Sequence, residues 1–162
     1  MKFAYSYIDF NSVRLYLEWK GQGRLRKISF IPQAVEYRSC ASDSLLLELL
    51  SDSSRPEWSD LPDWSMLTEF QQTVLRCLRE YVPAGKVITY SALASLAGRP
   101  GAARAVGGAM KANPFPVLIP CHRVVNADMS LGGFSGGLDV KTRLLAHEGI
   151  ILYNGRILSG FA

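Results

Sequence analysis

The chain has 162 residues, 48% of them hydrophobic, and carries 18 Lys+Arg against 14 Asp+Glu for a net charge of +4. That length suits one ordinary domain or two small ones. No run approaches the roughly 20 apolar residues that span a bilayer, and "MKFAYSYIDF" offers no cleavage site, so the expected location is the cytoplasm, or the nucleus if the source is eukaryotic.

In chain order, "KFAYSYIDF", "VRLYLEWK" and "RLRKISFI" read as three strands separated by "NS" and "GQG" turns. In the second, Val13, Leu15, Leu17 and Trp19 alternate with polar or larger residues in the period of a half-buried strand. A small antiparallel meander follows. "SDSLLLELL" reads as a short helix, and "SDSSRPEWSDLPDW", rich in Ser, Asp and Pro, as a linker.

The second part opens with "TEFQQTVLRCLREYV", where Thr68 and Gln71 form a capping box and Phe70, Val74, Leu78 and Tyr81 share one face. Next come "VITYSALASLAG", stopped by Gly98, the turn "RPG", and "AARAVGGAMKAN". Two short helices joined by a Gly-Pro turn make a helix-turn-helix candidate. A last helix is expected over "LDVKTRLLAHEG". The fold class is therefore α+β: an N-terminal sheet domain with a helix and linker over 1–65, then a helical domain with the helix-turn-helix over 66–162.

Charge separates these halves. Residues 1–84 carry 10 Lys+Arg against 11 Asp+Glu, whereas 85–162 carry 8 against 3. No acidic residue lies between Glu80 and Asp128, while Lys86, Arg99, Arg104, Lys111 and Arg123 all do. Such a window suits a polyanion, or is a solvated basic face. In the second helix of the pair, Ala103, Val106 and Met110 form a core stripe, and Arg104, Gly108 and Lys111 another face. Gly107 and Gly108 there serve either close backbone approach to a groove or tight helix-helix packing.

The cysteines, Cys40, Cys77 and Cys121, are odd in number and widely spaced, with no C-x-x-C and only two histidines. A disulfide framework or zinc finger does not fit. Cys77 falls inside a helix as a packing group. Cys121 stands in "PFPVLIPCHRVVN", beside His122 and Arg123, whose positive charge would favour a thiolate. In an extended "LIPCHRVV", Cys121 and His122 point to opposite sides, so a bridging water or a local turn is needed to bring them together. Glu148 and His147 are further partners on the last helix.

"RAVGGAM", "NP-x-P-x-x-IPCHRVV", "SGGL-x-VK" and "LL-x-HEG", in that order, resemble the O6-alkylguanine-DNA alkyltransferases, densely from Phe70 to Gly149. The resemblance implies DNA repair by single-turnover transfer of an alkyl group from O6 of guanine to Cys121, and leaves open whether O4 of thymine is also a substrate. It implies that Glu148, His122 and a water carry the proton away, that Tyr90 assists the departing base, and that Asn113 ties the recognition helix to the cysteine segment. Arg104 would fill the gap left by an extruded nucleotide. Ala103, Gly107, Met110 and Lys111 would complete the DNA-facing set, with Val124, Phe134 and Ser135 against the base. The implied partner is alkylated double-stranded DNA bound through its minor groove by a monomer, with no cofactor, metal or membrane. Phe134 and Arg143 depart from the tyrosine and tryptophan usual in that pattern, which bears on pocket shape and alkyl range. A non-catalytic DNA-binding protein of the same fold is the alternative; a cysteine peptidase lacks its sequence context.

Overall fold

The computed structural model describes residues 3–21, 23–31, 34–51 and 55–161. Strands β1 (Phe3–Phe10), β2 (Val13–Lys20) and β3 (Arg24–Ser29) pair antiparallel in the order β1-β2-β3. Asn11 and Ser12, with φ of 52° and 61°, supply the doubly left-handed turn that matches the twist of a tight hairpin. Val13, Leu15, Leu17 and Trp19 are buried as their alternation requires. Behind them Trp19 Nε1 donates to Ser6 Oγ at 2.8 Å, and Ser6 Oγ donates to Asp43 Oδ1 at 2.6 Å, so the buried polar groups satisfy one another. Asp43 lies in the first turn of α1 (Ser42–Ser51).

From Arg55 onward the Ser/Asp/Pro-rich stretch is not a solvated linker. Asp52, Ser53 and Ser54 fall outside the described residues, as do Lys2 of the first expected strand and Gln22 of the "GQG" turn. Past them, 3-10 turns at Pro56–Ser59 and Trp64–Met66 bury Trp58 and Leu61. Leu25 N donates to Leu61 O and Asp63 N to Leu25 O, which ties the stretch to β3. Apolar Trp58 and Leu61 outweigh the turn-forming composition. The first compact unit accordingly runs to Met66, and it also takes in Pro114–Leu118. Within it Ile28 N donates to Pro114 O, and Phe115 meets Trp64 edge-on with centroids 5.9 Å apart.

The second unit comprises Leu67–Asn113 and the chain from Ile119 onward. Its first helix, α2 (Glu69–Tyr81), begins at the expected capping box, with Thr68 and Gln71 bonded reciprocally. Its buried face is turned from the expected one. Val74, Leu75 and Leu78 are fully buried, Phe70 is half-buried, and Tyr81 is 61% exposed because it lies at the edge of that stripe. Strand β4 (Ile88–Thr89) leads into α3 (Tyr90–Leu96), capped by Thr89, and α4 (Ala103–Lys111) follows a six-residue turn. Strand β5 (Val124–Val125) pairs parallel to β4. Then come α5 (Leu138–His147) and a C-terminal hairpin, β6 (Leu152–Tyr153) and β7 (Arg156–Ile157). Val87, Val125, Leu131, Leu145, Ile150 and Ile157 form one buried cluster, so the hairpin braces the strands beneath the site. Among the described residues no helix is long and apolar enough to cross a membrane.

Candidate active site

The cysteine segment is not extended. Cys121–Arg123 forms a 3-10 turn, in which Arg123 N donates to Pro120 O at 2.9 Å. The turn removes the strand-like alternation, and Cys121, His122 and Arg123 are all buried. Asn113, just past α4, donates from Nδ2 to Ile119 O at 3.0 Å and hydrogen-bonds the Cys121 sulfur, linking the end of the helix to the turn.

Glu148 follows α5 and lies in this turn's polar network, whereas His147 is exposed. Its Oε1 is 2.8 Å from His122 Nε2. Arg123 holds the same carboxylate through Nε and Nη2 and donates Nη1 to Val82 O at 2.7 Å. Burial by itself would raise the Glu148 carboxyl, but the bonds from His122 and Arg123 outweigh it and hold the group at about 2. Glu148 is therefore an anion that can only accept, so His122 Nε2 carries the proton. Burial also pushes the imidazole's pKa down, which keeps it neutral. Its Nδ1, buried and bonded to no protein group, is thus a bare lone pair, the form of a base.

Positive sequence neighbours do not ionise Cys121. Burial pushes its thiol up to about 11, against the lowering effects of Asn113 and Lys141. Arg123 is committed to Glu148 instead. The resting group is a buried thiol rather than a standing thiolate. Lys141 is a residue that the sequence reading left without a role. It is buried on α5 and donates Nζ to Val124 O at 2.7 Å and to Leu131 O, with its pKa pushed down to about 8 by burial. Its spacing three and four residues before Leu144 and Leu145 placed it on the buried face.

Cys121 opens onto a cavity of ≈ 350 Å³ lined also by Tyr90, Gly107, Met110, Lys111, Gly133, Phe134 and Ser135. Phe134 stands edge-on to His122, with centroids 6.4 Å apart. Tyr90 is half-buried at the start of α3, and burial raises its phenol. A Cβ at Gly132, where φ is +66°, would come within 3.2 Å of the Tyr90 hydroxyl, so glycine there leaves the hydroxyl its place. A second cavity shares Tyr90 and Gly107 and adds Ala103, Arg104 and Asn126. Arg104, Gly108 and Lys111 are exposed on α4, as their spacing foretold. No heavy atom lies within 4 Å of a Cβ placed at Gly107 or Gly108, so tight helix-helix packing does not account for these glycines. Val124 is fully buried and is not among the residues lining the cavity, its carbonyl accepting from Lys141 Nζ, and Arg143 is exposed on α5 and likewise outside that lining.

These features define a two-unit α+β protein whose second unit carries a helix-turn-helix and a buried Cys121–Arg123 turn bonded to Glu148. Residues 69–150 match the family model "6-O-methylguanine DNA methyltransferase, DNA binding domain", and the chain belongs to that family. It is 60% identical over 80 residues to the methylated-DNA--protein-cysteine methyltransferase of Homo sapiens, a match covering 49% of this chain and 39% of that protein. The chain thus spans about two fifths of that relative's length. Its fold matches the O6-methylguanine-DNA methyltransferase of Pyrococcus kodakaraensis with a TM-score of 0.70 and 25% identity, over 92% of this chain and 100% of the other. It also matches Mycobacterium tuberculosis OGT, solved in complex with DNA, with a TM-score of 0.67 and 28% identity over 90% and 93% of the two chains.

Proposed function

We propose that the chain repairs duplex DNA by moving an alkyl group from O6 of guanine to Cys121, once per molecule. The observation that carries this is the placement of Cys121 in a cavity with an anionic Glu148 fixing His122 so that Nδ1 is unprotonated. An O6-alkyl carbon is enclosed in a duplex, so the nucleotide must leave the stack, at a cost of a few kcal/mol. The exposed face of α4, bare at Gly107 and Gly108, suits close approach to a minor groove, and Arg104 is placed to fill the gap. The Cys121 proton passes to His122 Nδ1, directly or through a solvent molecule. Sulfur then attacks the alkyl carbon, the C–O6 bond breaks, and its electron pair remains on the base, which the Tyr90 hydroxyl protonates. The thioether formed is not hydrolysed under mild conditions. The chain acts as a monomer without cofactor.

Incubation with excess duplex containing O6-methylguanine, followed by intact mass and peptide mapping, tests this. The expected result is one methyl group per chain, on Cys121, retained by Cys40→Ser and Cys77→Ser and lost in Cys121→Ser. Binding without any adduct would instead support a non-catalytic damage-binding protein.

A further inference from the structure

Lys111 is the one charged residue among those lining the Cys121 cavity, whose other walls are aromatic, aliphatic or small. It ends α4, is exposed, and has no acidic partner among the described residues. The sequence supplies no nearby anion either, since Asp and Glu are absent between Glu80 and Asp128. An exposed lysine at the rim of a pocket with largely apolar walls does nothing for a neutral alkyl group. For a substituent ending in a carboxylate it is a charge-assisted partner, and it offsets the repulsion between that carboxylate and an attacking thiolate.

We propose that Lys111 makes this pocket selective for O6-guanine adducts whose substituent carries a carboxylate, of the carboxymethyl type, over neutral adducts of the same shape. The proposal rests on the alkyl-transfer function above. In the step, Cys121 sulfur bonds to the methylene carbon as that carbon's bond to O6 breaks. The electron pair stays on the base and takes the Tyr90 proton, which solvent restores, while the thiol proton goes to His122. The carboxylate is carried unchanged onto sulfur, giving S-carboxymethylcysteine. Lys111 holds the carboxylate and exchanges nothing.

Three duplexes of one sequence test it, bearing O6-carboxymethylguanine, its neutral carbamoylmethyl counterpart, or O6-methylguanine, each followed in single-turnover rates at saturating protein. Lys111→Met should lower the carboxymethyl-to-carbamoylmethyl rate ratio about tenfold, and Lys111→Arg should restore it. A mere phosphate contact would weaken binding of all three duplexes alike and leave the ratio unmoved. An unmoved ratio alongside intact methyl transfer overturns the selectivity alone. No methyl transfer by the unsubstituted chain overturns alkyl transfer itself, and the selectivity with it.

Discussion

Arg123 and Glu148, 25 residues apart in sequence, form a largely buried ion pair in which Arg123 Nε lies 3.1 and 3.0 Å from the two carboxylate oxygens and Nη2 lies 2.8 Å from Oε1. Removing one partner of such a pair strands the other charge, at a cost of about 3–5 kcal/mol. Arg123→Met should therefore lower stability on that scale in urea unfolding at neutral pH. The same pair sets an acid response. Glu148 is held at about 2 against an ordinary 4.5, so its contribution is complete above about pH 4.5 and is lost as pH falls toward 2. The loss over that window should be shallower in Arg123→Met, and an equal slope in both proteins would place the acid sensitivity elsewhere.

Cys121 should react slowly as a free thiol. With its pKa raised to about 11, the thiolate fraction rises about tenfold per pH unit below that value. Iodoacetamide labelling of Cys121, followed by peptide mapping from pH 7 to 10, should climb without a plateau. Saturation near pH 7 would mean a standing thiolate, and the buried, neutral resting state would be wrong.

Arg104 lies on the exposed face of α4 and lines the cavity that adjoins the Cys121 pocket. Arg104→Ala should slow repair of duplex DNA by at least tenfold while transfer from a free alkylated guanine base changes far less, because only the duplex must lose a stacked nucleotide. Equal losses on both substrates would remove the gap-filling role.

Tyr90 presents a hydroxyl to the pocket beside Gly132. Tyr90→Phe keeps the ring and loses the proton donor. Transfer should slow by roughly 10²-fold, the lower end of general-acid effects, with DNA affinity largely unchanged. Rates and binding titrations on one oligonucleotide decide it; an unchanged rate returns Tyr90 to a packing role.

Periodicity and capping are local, so the strands, the Thr68–Gln71 cap and the exposed Arg104, Gly108 and Lys111 were legible in the sequence, as was the cysteine motif. Burial at Trp58 and Leu61 was harder to see, because turn-forming neighbours hide two apolar anchors. What touches what around Cys121 was decided only by tertiary structure. A 3-10 turn at Cys121–Arg123 breaks the alternation that an extended segment would impose, and α5 then brings Glu148 to His122 and Arg123 across a gap in sequence that no pattern encodes. The acidity of the site follows from the same packing. A basic sequence window predicts an ionised thiol, but desolvation on burial exceeds the attraction of charges already paired elsewhere, so the fold keeps Cys121 protonated.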